Sequence, residues 1–553
     1  MKITDTSDLW WKSAVVYCLD VETYMDGDDD GVGDFAGLAR RIDYLADLGV
    51  TCLWLMPFYP TPDRDDGYDI SDFYGIDPRL GNHGDFVEVI RTARDRGMRV
   101  IIDLVVNHTS DKHPWFVSAR RSRTSPYRDF YVWRDAPPAK EEPTVFPGEE
   151  ASVWEYDERT GQYFQHVFYR HQPDLNVANP RVRDEIAKTI GFWLALGVSG
   201  FRLDAVPFFI EPPDGVDVGD PHELLRDLKR FLQRRVGDAA LLGEVNVPYR
   251  QQVQFFGGAR GGELDLQFDF IGMQALYLSL ARHDPAPLVK ALRSRPEVPP
   301  EAGWANFVRN HDELTLDKLT DAERAEVFDV FAPDEAQRVY GRGITRRLPT
   351  MLGGDPRRIR MVYSLLFSLP GTPVLFYGEE IGMGENPDVP GRASVRTPMQ
   401  WSDGKNGGFS QAARGRLVAP IPTDGYAPDH VNARQQRADD GSLLRFVQQL
   451  INRYRTSPEI GWGTPRVLDH DASGVLAHEL SSDVGRMVAL HNFTDVPVRV
   501  ALDLGPVPEG TVLFDLHGTE RLTLDPRGRL EIELAAFGFR WLRVSSPGDT
   551  RIS

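Results

Sequence analysis

Cysteine is almost absent from the chain: Cys18 and Cys52 are the only two among 553 residues. Both lie in apolar stretches, which favours reduced thiols in the core over a disulfide. The N-terminal stretch MKITDTSDLWWK also lacks the apolar segment of a secretion signal. These absences predict a cytoplasmic protein, because disulfides and secretion signals accompany export.

Long apolar runs and an excess of basic residues are missing as well. The most apolar stretch, residues 361–377, is interrupted by two prolines, whereas spanning a bilayer takes about 20 apolar residues. Lys and Arg number 63 against 82 Asp and Glu, which gives a net charge of −19. We therefore expect no membrane and no nucleic-acid partner, since both attract basic surfaces. The charge suits a small neutral substrate. The sequence leaves the oligomeric state open, and a homo-oligomer is compatible with it.

What the chain does contain is an alternation of apolar strand-like segments with amphipathic helices over about 450 residues. The eight strand candidates are VVYCLDV, TCLWLMPF, RVIIDLVVNH, GFRLDAV, ALLGEVN, LDLQFDF, WANFVRNHD and PVLFYGEEIGM. Strands alternating with helices in this number predict an α/β fold, a closed (β/α)8 TIM barrel. A Rossmann sheet is the rival, but no GxGxxG lies between a strand and a helix.

Two regions fall outside this alternation. Residues 109–172, after the third strand, are rich in Pro, Arg, Glu and aromatics and too long for a loop in a compact domain. We predict a small inserted domain there. Beyond residue 460, short alternating segments such as GVLAHEL and RMVALHNF predict a C-terminal antiparallel β-sandwich over 461–553. The catalytic barrel then comprises residues 1–108 and 173–460.

Polar residues follow several predicted barrel strands, at the ends where barrel enzymes have their active sites. They are Asp103, Asn107 and His108 after the third strand, Arg202 and Asp204 after the fourth, Glu244 after the fifth, and Asn310, His311 and Asp312 after the seventh. A single carboxylate in such a position is more simply one half of an ion pair. Three of them, Asp204, Glu244 and Asp312, with His and Arg nearby indicate a catalytic site.

Charge and spacing assign roles to these groups. Arg202 and Asp204 are two apart on a strand and share a face, so the guanidinium keeps Asp204 ionised as a candidate nucleophile. Glu244 on the next strand feels that negative charge and holds its proton longer, as a general acid must. Two such carboxylates about 5–5.5 Å apart are the layout of a retaining glycosidase. Asp312 would orient sugar hydroxyls and oppose the positive charge of the transition state.

The chain resembles the α-amylase family of retaining α-glucoside enzymes, glycoside hydrolase family 13. The segments DLVVNH (103–108), GFRLDA (200–205), GEVN (243–246) and FVRNHD (307–312) match the four signature segments of that family in order. QPDLN (172–176) matches a fifth, typical of the oligo-1,6-glucosidase and trehalose synthase branch. The resemblance implies that Asp204 is the nucleophile, Glu244 the acid/base and Asp312 the transition-state stabiliser, with no organic cofactor.

The same resemblance implies a set of sugar-binding residues. They are His108, Arg202 and His311 at the cleaved bond, Asp65 and Tyr68 of RDDGYD at the terminal glucose, Phe168 and Gln172 in the pocket wall, and Arg396 of RTPMQW as a further contact. Two departures from the family pattern concern the choice of acceptor and not the chemistry: Glu22 stands where relatives often carry Arg, and GEVN replaces the more usual AEAN.

The stretch MDGDDDGVGDFAGL, residues 25–38, has the spacing of a calcium loop. Asp26, Asp28 and Asp30 occupy the first three ligand positions, but the bidentate Glu of an EF-hand is missing, and the loop joins a strand to a helix. Without a cation, the run would be a solvated acidic turn. A related loop in the family implies a structural Ca²⁺ that braces the first barrel loop. The implied ligands are Asp26, Asp28, Asp30, Val32 through its carbonyl, and Asp34.

Three functions remain open from the sequence. The segments 309–324 and 365–385 look closest to the trehalose synthase members of the family, which interconvert maltose and trehalose by intramolecular glucosyl transfer. The alternative is an α-glucosidase or transglucosylase acting on small α-glucosides, which differs in what reaches the glucosyl-enzyme first, water or a sugar hydroxyl. A non-catalytic carbohydrate-binding or accessory protein is a third function, against which the intact carboxylates argue.

Overall fold

The computed structural model describes residues 9–138, 143–212, 216, 218–547 and 549. Within these ranges no helix is long and apolar enough to cross a membrane. Cys18 and Cys52 are both buried free thiols, in agreement with the prediction of no disulfide between them.

Strands and helices alternate through most of the chain, and among the described residues only strands follow residue 463. The strands are β1 (Val16–Leu19), β2 (Cys52–Leu55), β3 (Arg99–Leu104), β4 (Trp133–Arg134), β5 (Trp154–Asp157), β6 (Gln162–Gln165), β7 (Gly200–Leu203), β8 (Ala240–Gly243), β9 (Leu266–Phe268), β10 (Gly303–Asn306), β11 (Leu314–Thr315), β12 (Arg338–Val339), β13 (Gly343–Ile344), β14 (Thr372–Phe376), β15 (Thr464–Val467), β16 (Val475–Ser482), β17 (Gly485–Asn492), β18 (Val498–Asp503), β19 (Val512–Asp515), β20 (Arg521–Thr523), β21 (Arg529–Leu534) and β22 (Phe539–Ser545). The α-helices are α1 (Val21–Tyr24), α2 (Phe35–Leu48), α3 (His83–Asp95), α4 (Pro114–Ala119), α5 (Pro180–Ala195), α6 (Val206–Phe209), α7 (Glu223–Arg235), α8 (Tyr249–Gln252), α9 (Phe270–Arg282), α10 (Ala286–Ser294), α11 (Asp321–Phe331), α12 (Leu348–Met351), α13 (Pro356–Ser368), α14 (Ala433–Arg437), α15 (Leu443–Arg455) and α16 (Glu459–Trp462).

Eight strands close into a parallel barrel in the order β1-β2-β3-β7-β8-β9-β10-β14. The last strand returns to the first, with Val16 opposite Val374 and Cys18 opposite Phe376. Every residue of β1, β2 and β14 is buried, as expected for parallel strands covered by helices outside and filled with side chains inside. The structure confirms the predicted (β/α)8 barrel.

Local signals in the sequence explain where the surrounding helices begin and end. Asp34 caps α2 by accepting a hydrogen bond from Gly37 N, and Gly49 ends that helix in the left-handed conformation at φ 97°. Asn82 and Asp85 form a capping box at the start of α3. Because each cap fixes a helix start, it also fixes the length of the preceding loop at the carboxyl end of the barrel.

Two small antiparallel sheets extend the barrel at this end. β4, β6 and β5 pair in that order within residues 109–172, the region predicted as an inserted unit. β11, β13 and β12 pair in that order within residues 314–344, after β10. The sequence analysis predicts no strands in this second segment. Its strands are two residues long, too short for an alternating pattern to be seen.

The C-terminal residues form two antiparallel sheets. One has the order β15-β16-β17-β22-β19-β20, and the other pairs β18 with β21. Buried side chains of both sheets, such as Leu490 and Val500, belong to one apolar cluster. The larger sheet packs on the barrel, where Trp541 Nε1 donates to Ser364 Oγ of α13 over 3.0 Å. This confirms the predicted C-terminal antiparallel domain.

Candidate active site

The carboxyl ends of the barrel strands surround a cavity of about 370 Å³. Seven of the predicted site residues line it: Asp65, Tyr68, His108, Phe168, Asp204, Glu244 and Asp312. The other predicted site residues of this region lie behind that lining and contact it: Gln172, Arg202, His311 and Arg396. The structure therefore brings the predicted catalytic and sugar-binding residues together.

The close approach of β7 and β8 fixes the relative positions of two of the three carboxylates. Gly200 begins β7 because a Cβ at that position would lie 2.2 Å from the carbonyl oxygen of Ala240. Ala205 turns into the left-handed region at φ 48°, which is uncommon for a residue other than glycine. This turn directs the Ala205 amide at Glu244 Oε2, at 3.3 Å, and so links the segment after Asp204 to the general-acid candidate.

A buried arginine connects the carboxylates. Arg202 Nη1 donates to Asp204 Oδ1 over 2.7 Å and to Asp103 Oδ1 over 2.9 Å, while Nη2 donates to Glu244 Oε2 over 2.5 Å. Asp103 has no role in the predicted site, yet it is fully buried and also accepts from Trp54 Nε1 and the Tyr68 hydroxyl, each over 3.2 Å. Asp103 therefore anchors Arg202 from the side away from the cavity.

Burial and neighbouring charge set the pKa values of the two candidate catalytic carboxyls in the expected order. Burial raises the pKa of Asp204 to about 6, although the adjacent Arg202 lowers it. Burial raises the pKa of Glu244 to about 7, against the lowering effect of Arg202 and with the help of the Asp204 charge. Asp204 consequently ionises first, as a nucleophile must, and Glu244 keeps its proton to higher pH, as an acid must.

We expect a bell-shaped dependence of kcat/KM on pH. Activity needs Asp204 ionised and Glu244 protonated, so it should rise as the pH passes about 6 and fall as the pH passes about 7. The two groups interact, so the limbs report apparent pKa values of the pair. Measuring kcat/KM on maltose in overlapping buffers checks this. A profile that stays level through neutral and alkaline pH would contradict the acid role of Glu244.

Asp312 is held in its ionised form by three cationic or polar neighbours. His311 Nε2 lies 3.1 Å from Oδ2, while Arg392 Nη1 and Arg396 Nη2 lie 2.9 Å and 3.0 Å from Oδ1. Burial alone would raise the pKa of Asp312, but these neighbours hold it well below its usual value. A permanently charged carboxylate suits the stabilisation of an oxocarbenium-like transition state.

Arg392 is a site residue that the sequence analysis does not identify. It lines the cavity and bridges Asp312 to Asp65 through a second ion pair. The predicted Arg396 lies deeper, where it pairs with Asp66 and donates from Nε to the carbonyl oxygen of His311 over 2.8 Å. In the sequence, Arg392 is marked only by its position four residues before RTPMQW. The surrounding segment is rich in Gly and Pro and has no periodicity from which its contacts could be predicted.

The predicted glucose-binding residues form one connected group. Tyr68 stacks on His311, with ring centroids 5.6 Å apart, and its hydroxyl lies 2.7 Å from His311 Nε2. Gln172 Nε2 donates to Asp65 Oδ2 over 2.8 Å. His108 Nε2 lies 3.1 Å from the carbonyl oxygen of Tyr68. These contacts fix the orientation of Asp65 and Tyr68 before any sugar binds, which lowers the entropic cost of binding.

The acidic loop brings three of its carboxylates together. Oxygens of Asp26, Asp28 and Asp34 all lie within 4.8 Å of one another, whereas Asp30 is outside this group. Burial raises the pKa of Asp34, and the charges of Asp28 and Asp26 add to that effect. Val32 donates its amide to Asp30 Oδ1 over 2.8 Å. Convergent carboxylates are a donor set suited to a hard cation such as Ca²⁺.

An eight-stranded parallel barrel with three carboxylates and a buried arginine at its carboxyl end has the architecture of a glycoside hydrolase. Residues 21–330 and 340–463 match the family described as alpha amylase, catalytic domain, and residues 485–543 match the sucrose hydrolase-like C-terminal domain. The chain belongs to the α-amylase family, glycoside hydrolase family 13, and is an enzyme of that type.

Similar proteins include several curated trehalose synthases. The chain is 39% identical over 556 residues to the trehalose synthase of Pimelobacter sp. (strain R48), covering 98% of this chain and 97% of the relative. It is also 39% identical over 549 residues to trehalose synthase/amylase TreS of Mycobacterium tuberculosis, covering 97% and 90%. Among solved structures, the alpha-amylase from H.orenii aligns with a TM-score of 0.79 at 27% identity, over 97% of this chain and 100% of that one. The trehalulose synthase MutB of Pseudomonas mesoacidophila MX-45 aligns with a TM-score of 0.75 at 27% identity, over 97% and 99%.

Proposed function

We propose that this protein interconverts maltose and trehalose by intramolecular glucosyl transfer through a covalent intermediate on Asp204. The long alignments with proteins named trehalose synthase support the substrate pair, and the grouped carboxylates support the chemistry. For the domains we propose a catalytic barrel of residues 1–108 and 173–460, an inserted domain of 109–172 and a C-terminal domain of 461–553.

In the first half-reaction, Asp204 attacks the anomeric carbon of the terminal glucose, and the bond from that carbon to O4 of the second glucose breaks. Glu244 gives its proton to the departing O4. In the second half-reaction, the anomeric hydroxyl of the retained glucose attacks the same carbon, the bond to Asp204 breaks, and the proton returns to Glu244. Asp312 opposes the positive charge that develops on the sugar in both steps.

The observation that carries the proposal is a set of contacts across the cavity mouth. Arg342 Nη2 donates to the carbonyl oxygen of Val145 over 2.7 Å, and the hydroxyls of Tyr169 and Tyr340 lie 3.2 Å apart. The ring of Phe146 lies 5.0 Å from that of Tyr340. These contacts join the 109–172 segment to the 314–344 segment above the catalytic carboxylates. A covered site excludes water, and a glucosyl-enzyme shielded from water reacts with the retained glucose.

The alternative is an α-glucosidase or transglucosylase, which would use the same catalytic groups. It is favoured by the exposure of Phe208, which lines the cavity and is 41% accessible, so that part of the mouth opens to solvent. An opening of this kind would admit water or a second sugar.

Incubation with maltose separates the two functions. We expect trehalose as the main product and free glucose as the lesser one, because the released glucose stays in the site. Trehalose formed in the presence of labelled free glucose should carry little label. Release of two glucoses per maltose, without trehalose at early times, would establish the hydrolase instead, and label in larger sugars would indicate a transglucosylase.

We further propose that the acidic loop binds a structural Ca²⁺ through Asp26, Asp28, Asp30, the Val32 carbonyl and Asp34. The loop contacts the segment that follows the Arg396 motif: Asp26 N donates to the Phe409 carbonyl over 3.1 Å, and Gln411 N donates to Asp29 Oδ1 over 3.0 Å. A cation would hold these contacts by neutralising the clustered charge.

Calcium should therefore raise the free energy of unfolding by RT ln(1 + [L]/Kd), as a ligand of the native state does, and with it the melting temperature. The double variant Asp26→Ala, Asp30→Ala should lose this rise, which scanning calorimetry with calcium and with chelator measures. A surface double variant such as Asp321→Ala, Asp429→Ala is the control for loss of charge alone. Unchanged melting of the wild type with chelator, together with no co-purified metal, would identify the loop as an acidic turn.

A further inference from the structure

Phe208 differs from the other aromatic residues that line the cavity. It is 41% exposed, whereas Tyr68 and Phe146 are buried. Among the described residues, its ring contacts one other aromatic ring, that of Phe168, edge to face with the centroids 5.6 Å apart. A large part of the Phe208 ring therefore remains uncovered. Binding of a ligand over an exposed aromatic ring at the mouth of a catalytic cavity is favourable, because it removes apolar surface from water.

The position of Phe208 is fixed relative to the general-acid candidate. It lies on α6, which begins directly after Ala205, and the amides of Ala205 and Val206 donate to Glu244 Oε2 and to the Glu244 carbonyl oxygen over 3.3 Å and 3.1 Å. Glu244 is the group that protonates the departing sugar oxygen. Phe208 therefore belongs to a segment that is hydrogen-bonded to the general-acid candidate, next to which the departing second sugar must lie in the proposed reaction.

The lining of the cavity that includes Phe208 combines apolar and polar surface. Pro207 and Val247 line it with Phe208, and Thr315, Asp317 and Lys318 supply hydroxyl, carboxylate and ammonium groups. A pyranose has the matching character, because its two faces present C–H groups while its rim carries hydroxyls. Such a surface binds a sugar ring by covering one face and hydrogen-bonding the rim.

We propose that Phe208 is the platform on which the released glucose lies and turns between the two half-reactions, an inference that rests on the proposed function. C1 and C4 are opposite corners of the pyranose ring, so a half-turn in the plane of the ring exchanges O4 for O1 at the glucosyl-enzyme. Contact between an aromatic face and a sugar face is non-directional and persists through such a turn. Hydrogen bonds to the rim break and reform during it. Phe208 thereby retains the glucose while it reorients.

Four variants test this role. Phe208→Ala removes the platform, Phe208→Leu keeps apolar volume without a flat face, and Phe208→Tyr keeps the flat face. Tyr156→Ala is the matched control, because Tyr156 is 49% exposed on the inserted segment and does not line the cavity. The measurements are the ratio of trehalose to glucose formed from maltose, and the label that trehalose acquires from free labelled glucose.

We expect Phe208→Ala and Phe208→Leu to lower the trehalose-to-glucose ratio on the order of tenfold and to raise label incorporation, because glucose escapes before it turns. Phe208→Tyr and Tyr156→Ala should stay close to wild type. In Phe208→Ala and Phe208→Leu, the rate of fluoride release from α-glucosyl fluoride should fall much less than the yield of trehalose from maltose. The reason is that the fluoride leaving group does not cover Phe208. This inference alone is overturned if the wild type makes trehalose and both Phe208→Ala and Phe208→Leu keep the wild-type ratio of trehalose to glucose and still exclude label from trehalose. A wild type that makes no trehalose overturns the proposed function, and the inference with it.

Discussion

Asp204→Asn is expected to lower kcat by more than a factor of about 100 on every good substrate, because it removes the nucleophile that forms the glucosyl-enzyme. The amide is isosteric with the carboxylate and does not attack the anomeric carbon. The fold should persist, since Arg202 retains its ion pairs with Asp103 and Glu244. Steady-state kinetics on maltose, with a thermal melt of the same preparation, measure both effects.

A trapping experiment gives an independent check on Asp204. A 5-fluoro glucosyl fluoride should label the wild type by one sugar on the peptide that contains Asp204, because the fluorine slows the second half-reaction more than the first. Asp204→Asn should remain unlabelled. A variant that keeps more than about a hundredth of wild-type kcat, or a label on another carboxylate, would assign the nucleophile elsewhere.

Glu244→Gln should have an effect that depends on the leaving group. Departure of a sugar oxygen from maltose needs a proton, so turnover on maltose should fall by a factor on the order of 10²–10⁴. Fluoride departs with little protonation, so the first half-reaction with α-glucosyl fluoride should be partly spared. Burst kinetics separate the two half-reactions. Equal loss of the glycosylation rate on both substrates would contradict the acid/base role.

The residues whose roles could be predicted from the strand pattern alone lie at the ends of regular strands, whereas Asp65, Tyr68, Phe168, Gln172 and Arg396 are predicted only through the resemblance to the family. Arg202 lies on β7 and Asp204 directly follows that strand two residues later, so the strand period of two directs both to the same face, and Glu244 directly follows the next strand, β8. Such relations need no knowledge of distant contacts. The same holds for the C-terminal strands, whose alternating pattern in β18 and β21 matches alternating burial.

The features that could not be predicted depend on contacts between remote segments. Arg392 reaches Asp65 across 327 residues of chain, from an irregular segment with neither a helical nor a strand period. Arg342 reaches the Val145 carbonyl in the same way, over 197 residues. Asp103 was seen at a strand end, but its role as anchor for Arg202 depends on the register of β3 against β7. Local propensity carries no information on such pairings.

The pairing of β1 with β14 has a consequence for how the protein is made. A ribosome adds residues from the N-terminus, so β1 emerges some 350 residues ahead of the strand that completes its second edge, Val16 being opposite Val374. Until Phe376 has left the exit tunnel, one edge of a fully apolar strand has no partner within the barrel. Nascent chains that stop short of that point therefore present an open sheet edge to chaperones and to one another. The pairing of β1 with β14 sets the chain length at which this exposure ends.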